Sequence, residues 1–142
     1  MTWATIYPDT IARIVAITPS QDPRQRWSHV PDSRESSGGR DRVFRTLPPE
    51  TSDDASIAGA GYAQLTWTVP VISEYLLTTA LSGRVAADWA DLTGALNPKS
   101  TYPAGLRVRR VEQPRMEYDT EKDRVVVTYP VVHIYRVRVT LV

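Results

Sequence analysis

Two histidines, two acidic clusters and two glycine-rich stretches are the parts of this 142-residue chain from which a reactive centre could be built. His29 and His133 could ligate a metal or move a proton, but they form no HExxH pair or comparable spacing, and zinc ligation from one helix face needs one. Asp53-Asp54 and the alternating set Asp119, Glu121 and Asp123 could hold a cation through carboxylate oxygens. The second set lacks the glycine and distal glutamate that close a calcium loop, so it reads as a solvated turn. Ser36-Ser37-Gly38-Gly39-Arg40 and Gly59-Ala60-Gly61 match neither GxGxxG nor GxxxxGK[ST], and neither leads directly into a helix. No GxSxG nucleophile elbow occurs. The expectation is therefore no catalytic residue, no metal site and no cofactor, with both histidines structural.

Arginine is the remaining chemistry. Arg24, Arg26, Arg34, Arg40, Arg42 and Arg45 gather around Trp27, while Arg107, Arg109, Arg110, Arg115, Arg136 and Arg138 decorate the C-terminal third. Basic residues interleaved with an aromatic can bind single-stranded nucleic acid through phosphate contacts and stacking. Asp22, Asp32, Glu35 and Asp41 dilute the first group, and Glu112 and Glu117 offer cross-strand partners to Arg136 and Arg138. Ion pairs at the surface or at a subunit seam are the simpler reading. The candidate interface set is Arg24, Arg26, Trp27, Arg40, Arg42, Arg107, Arg109, Arg136 and Arg138.

The whole-chain balance fits that reading. Seventeen basic against sixteen acidic residues leave a formal charge of +1, which marks no nucleic-acid binder. Lys99 and Lys122 are the only lysines, so arginine makes up the rest; arginine favours bidentate interface contacts, and GC-rich coding produces the same excess. A hydrophobic fraction of 42%, four Trp and seven Tyr support one folded domain over residues 1–142. Cysteine is absent, which removes disulfides and thiolate chemistry. With no leader and no long apolar run, a soluble protein made in a cytoplasm, without membrane partners, is expected.

Which elements would carry these residues? Ile11, Ile14, Val15 and Ile17 fit a short helix face after Pro8, although Ile11, Arg13, Val15 and Ile17 also alternate as a strand would; helix is preferred. Residues 18–41 hold three prolines and two glycines and read as a long flexible arm, with Trp27 as an anchor for a pocket in a neighbour. Arg42–Leu47 is short and β-prone. From Tyr62 to Val71, Leu65, Trp67, Val69 and Val71 alternate with polar residues, and Pro70 reads as a strand end or edge. Ser73 resembles an N-cap, with Ile72 and Leu77 placed as a hydrophobic staple. Leu77, Leu81, Val85, Trp89, Leu92 and Leu96 then continue as a helical stripe expected to pack on Leu65, Trp67 and Val69. Gly105 to Val142 reads as one long β-hairpin turning at Asp119–Asp123, bulged or unpaired at Pro130. The fold class is α+β: an antiparallel sheet with one long helix, Ser73–Leu96, on one face.

This order of elements resembles the tail terminator proteins of tailed bacteriophages and, more broadly, the small head–tail connector and neck proteins. The resemblance rests on RVFR (Arg42–Arg45), AQLTWTVPV (Ala63–Val71), the long helix, and the closing VVHIYRVRV (Val131–Val139), and it covers most of the chain. It implies a non-enzymatic virion protein of the tail or neck. Such a protein forms a ring of identical subunits, commonly a hexamer, against tail tube and neck proteins, with DNA met only in the ring lumen. The arm at 18–41 is long for that family. A small nucleic-acid-binding protein is the alternative from another class.

Overall fold

The longest runs of β-branched and aromatic residues pair with each other. In chain order the elements of the computed structural model are helix α1 (Trp3–Val15), strands β1 (Ser28–His29), β2 (Val43–Thr46), β3 (Glu50–Thr51), β4 (Ser56–Ile57) and β5 (Tyr62–Leu76), and helix α2 (Leu81–Leu96). A 3-10 turn (Lys99–Thr101) and strands β6 (Leu106–Val111), β7 (Arg115–Asp119) and β8 (Arg124–Arg138) complete them. The structure describes residues 3–30, 42–51, 56–57, 62–119, 121 and 123–138. β5 and β8 run antiparallel in unbroken register from Tyr62↔Arg138 to Leu76↔Arg124. The sheet order is β1-β2-β5-β8-β6, with β3 and β4 beside β2 along β5, and β7 beside β6 along β8. Only β1–β2 is parallel among these pairs. The fold is α+β, and the expected C-terminal hairpin is present as β6 and β7 against β8, interrupted at 112–114.

The prolines expected to end or disturb the strands lie at the centre of the ribbon instead, directly opposite each other as Pro70↔Pro130. The Pro70 carbonyl accepts from the Leu47 amide and the Pro130 carbonyl from the Glu112 amide, so both residues turn their hydrogen-bonding side outward. The missing donors therefore point at breaks in the outer strands, β2/β3 on one flank and β6/β7 on the other. A proline placed there costs the central ladder nothing.

Both helices cover one face of the ribbon. α2 packs over Val71, Tyr75, Val125, Val127, Tyr129 and Val131 through Leu81, Val85, Leu92 and Leu96, with Trp89 partly buried against the same core. Leu65 and Trp67, expected under that helix, instead meet Trp3 and Ile6 at the start of α1 together with Leu106 and Tyr135. Ser73 does not open a helix. It is a buried strand residue paired with Val127, and α2 starts eight residues later without a side-chain cap. The cap-like signal at Ser73 is local, whereas Val125 and Val127 across the ladder reward continued extension; the non-local pairing wins. Leu77, left outside the helix, is 40% exposed.

Residues 18–30 also differ from the expected arm. Ile17 and Trp27 are buried, Trp27 meets Phe44 and Tyr129 edge to face at ring distances of 5.9 and 6.0 Å, and β1 joins the sheet edge. The composition of this stretch supports no helix or strand period, but one large aromatic and backbone carbonyls suffice to seat it. Residues 31–41, including Arg34, Ser36-Ser37-Gly38-Gly39-Arg40 and Asp41, lie outside the described residues, as do Asp53, Asp54 and Gly59-Ala60-Gly61.

Candidate functional site

Two arginines from the candidate interface set are fully buried inside the subunit. Arg42, in the left-handed region at φ 65, sits just before β2. Its Nε and Nη2 donate to Asp88 Oδ1 at 3.0 and 2.8 Å. Nη1 donates to the carbonyls of Asp22 and Gln25 at 3.1 and 2.9 Å, and Nη2 to that of Gln21 at 2.6 Å. Every guanidinium N–H is thus used, as burial of a cation requires. Asp88 is equally buried, and its second oxygen accepts the Tyr75 hydroxyl at 2.6 Å. Tyr75 in turn accepts from Tyr129 at 2.8 Å. Burial, then the neighbouring Tyr129 and Asp88, push the Tyr75 hydroxyl well above its ordinary pKa, so it serves as a fixed donor. This centre ties the 21–25 loop, the sheet and α2 together.

The second centre lies under α1. Arg109 on β6 donates from Nε to the Leu96 carbonyl at 3.0 Å. Nη1 reaches Asp9 Oδ2 at 2.8 Å and Thr10 Oγ1 at 3.2 Å. Nη2 reaches the hydroxyl and carbonyl of Thr101 at 3.1 and 3.4 Å, and the guanidinium carbon lies 5.6 Å from the Tyr102 ring centre. Thr10 Oγ1 is also hydrogen-bonded to His133 Nε2 at 2.8 Å, and Trp3 stands edge-on to the imidazole at 5.0 Å. Burial, with the Arg109 cation adding to it, pulls His133 down to about 4, so the ring is neutral near pH 7.

Neither centre has the layout of a reactive site. The guanidinium, carboxylate and hydroxyl groups are spent on one another, and the imidazole, bonded through Nε2 with Nδ1 left unpartnered, faces a packed aromatic ring. Among the described residues no group of three or more metal-ligating side chains gathers, and no helix is long and apolar enough to cross a membrane. Glu121 and Asp123 are exposed in the β7–β8 turn. His29 sits in β1, tilted against Phe44 at 5.0 Å, and partial burial lowers its pKa.

The candidate set therefore divides. Trp27, Arg42 and Arg109 are taken up inside the subunit, a correction to their placement at a subunit surface. Arg24, Arg26, Arg107 and Arg136 are exposed: the first two lie on the loop before β1, while Arg107 on β6 and Arg136 on β8 flank the paired Leu106 and Tyr135 of neighbouring strands. Arg40 lies outside the described residues, and Arg138 closes β8. Sequence reasoning missed Asp88, yet its signal was legible. At the spacing Leu81, Val85, Asp88, Leu92, a carboxylate occupies the buried stripe of α2 and must find a cation.

Away from these centres, β7 forms an exposed strand on the sheet edge, with Met116 and Tyr118 38% and 60% exposed. A cleft of about 480 Å³ opens between the 21–22 loop, the end of β5 and the start of α2.

No protein-family model matches the chain, and no curated protein sequence matches it. Its fold does match a solved chain from the virion of a native gene transfer agent particle, with a TM-score of 0.57 and 15% identity. The match covers 90% of this chain and 92% of that one, so the two share a fold along nearly their whole lengths.

Proposed function

We propose that this chain is a non-enzymatic structural protein of a phage-like virion, and more narrowly a tail terminator. In that role it forms a ring of identical subunits, a hexamer, at the end of the tail and joins it to neck proteins and the head. The observation that carries the reading is the near full-length fold match to a virion chain. The element order of phage tail terminators supports the narrower assignment, and another neck or tail-completion component is its nearest rival. The interior use of arginine weighs against a nucleic-acid-binding role. Arg42 neutralises buried Asp88, Arg109 pairs with partly exposed Asp9 and donates to carbonyl and hydroxyl acceptors, and neither adds to a phosphate-binding surface.

Deleting the gene from the parent element and imaging the products tests the assignment. A terminator leaves heads and tails unjoined, and a tagged copy labels the tail–neck junction of complemented particles. Labelling of the head shell or tail tip, or normal particles without the protein, overturns it. Retention of the purified protein on DNA, lost steeply with added salt, would support the nucleic-acid alternative instead.

A further inference from the structure

Resting on the ring reading above, we infer that β7 of one subunit docks into the cleft beside α2 of the next copy of this chain, in a repeated head-to-tail contact. Tyr118 is the most exposed of the large apolar side chains among the described residues, and its hydroxyl reaches no further than Met116 Sδ at 3.9 Å. By register Met116 and Tyr118 share a face with Val127 and Val125, the face that the helices cover elsewhere. They are thus core-type residues at a sheet edge where the subunit supplies no cover. An exposed edge strand with apolar side chains normally requires a partner.

The cleft lies toward the opposite flank of the sheet. Leu76, 48% exposed, forms an apolar wall with Tyr75 and Leu81, while Asp22 and Arg84, themselves ion-paired, supply a polar rim. At about 480 Å³ it is large enough for an aromatic side chain, and its rim can meet a phenolic hydroxyl. Charge selects the occupant. Over residues 115–123 the strand carrying Tyr118 and the turn after it hold four acidic residues, Glu117, Asp119, Glu121 and Asp123, against two basic ones, Arg115 and Lys122; Glu117, Glu121 and Asp123 are exposed. The loop that walls the cleft continues directly into exposed Arg24 and Arg26. The same docking that seats Tyr118 therefore sets the acidic tip of one copy beside the basic loop of the next. Knob and cleft occupy different patches of one molecule, so the contact is heterologous, the head-to-tail kind from which a ring is built when its rotation closes.

The test uses two measurements on the full chain. Sedimentation compares the wild type with Arg24→Glu/Arg26→Glu, with Glu117→Arg/Glu121→Arg, and with the fourfold combination, each checked for an unchanged melt. Either reversal alone should weaken assembly roughly tenfold or more, and the combination should restore it. Because the chain has no cysteine, Tyr118→Cys and Leu76→Cys can also be oxidised separately and mixed. A cross-linked pair should form in the mixture only. A wild type that stays monomeric at all concentrations removes the ring reading, and this contact with it. A wild type that assembles, with both reversals assembling equally well, leaves the ring and overturns the contact. So does Tyr118→Cys cross-linking to itself, since that marks a two-fold contact.

Discussion

The two buried arginines spend the same five donors differently. Arg42 faces a carboxylate with no solvent exposure of its own, whereas Arg109 faces Asp9, whose side chain keeps 26% exposure, and otherwise neutral carbonyl and hydroxyl acceptors. Removing Arg42 leaves a charge stranded in the interior; removing Arg109 leaves an acid that water already reaches. The lesson is that a buried arginine's weight in the fold depends less on its own hydrogen bonds than on what it would abandon.

The sharpest way to break this comparison is Arg42→Met. We expect a loss of about 3–5 kcal/mol in urea unfolding, because Asp88 is left unpaired. Arg42→Met combined with Asp88→Leu should recover part of that loss, as removal of both charges leaves no orphan. If the double variant is worse than the single one, the stranded carboxylate is not the cause. Arg109→Met should cost less, about 1–3 kcal/mol in the same measurement, since neutral acceptors and a partly solvated acid remain.

The pH response should separate the centres further. His133 has an unfolded value near 6.5 and a folded value of about 4, so the unfolded chain takes the proton first as acid is added. Stability is present above pH 6.5 and is lost as pH falls toward 4. Between pH 7 and 5 the loss should be about 2 kcal/mol, and His133→Gln should flatten it. An unchanged slope in that variant would assign the acid sensitivity elsewhere. The smallest effect belongs to the surface: Arg107→Ala should change stability by no more than about 0.5 kcal/mol in a thermal melt.

Much of this architecture was written locally. The alternation in Ala63–Val71, the apolar stripe from Leu81 to Leu96 and the hairpin around Asp119–Asp123 each follow from a period that neighbouring residues share. The candidate centres were harder to read. Whether Arg42 or Arg109 points inward depends on the sheet register and on which carbonyls a distant loop presents, and neither is a property of nearby residues. Arg107 and Arg109 show this within one strand: a register shift between Leu106 and Val108 helps decide which residues face inward, and only Arg109 is buried. The 18–30 part of the expected arm is hard to read for a related reason, because it has no repeating pattern and a single buried tryptophan, Trp27, seats it.

The facing prolines give the long β5–β8 pair a mechanical property. At their level each central strand is joined to its outer neighbour through a carbonyl alone, and the flanking strands are discontinuous. The α2 cluster reaches across this line to Val111 and Val131, and beyond them the ribbon is covered by the first turns of α1. The sheet thus has a continuous central pair whose outer neighbours are interrupted on both flanks at one level. Bending of the ribbon meets least resistance at that level, where neither outer strand bridges it with a continuous ladder.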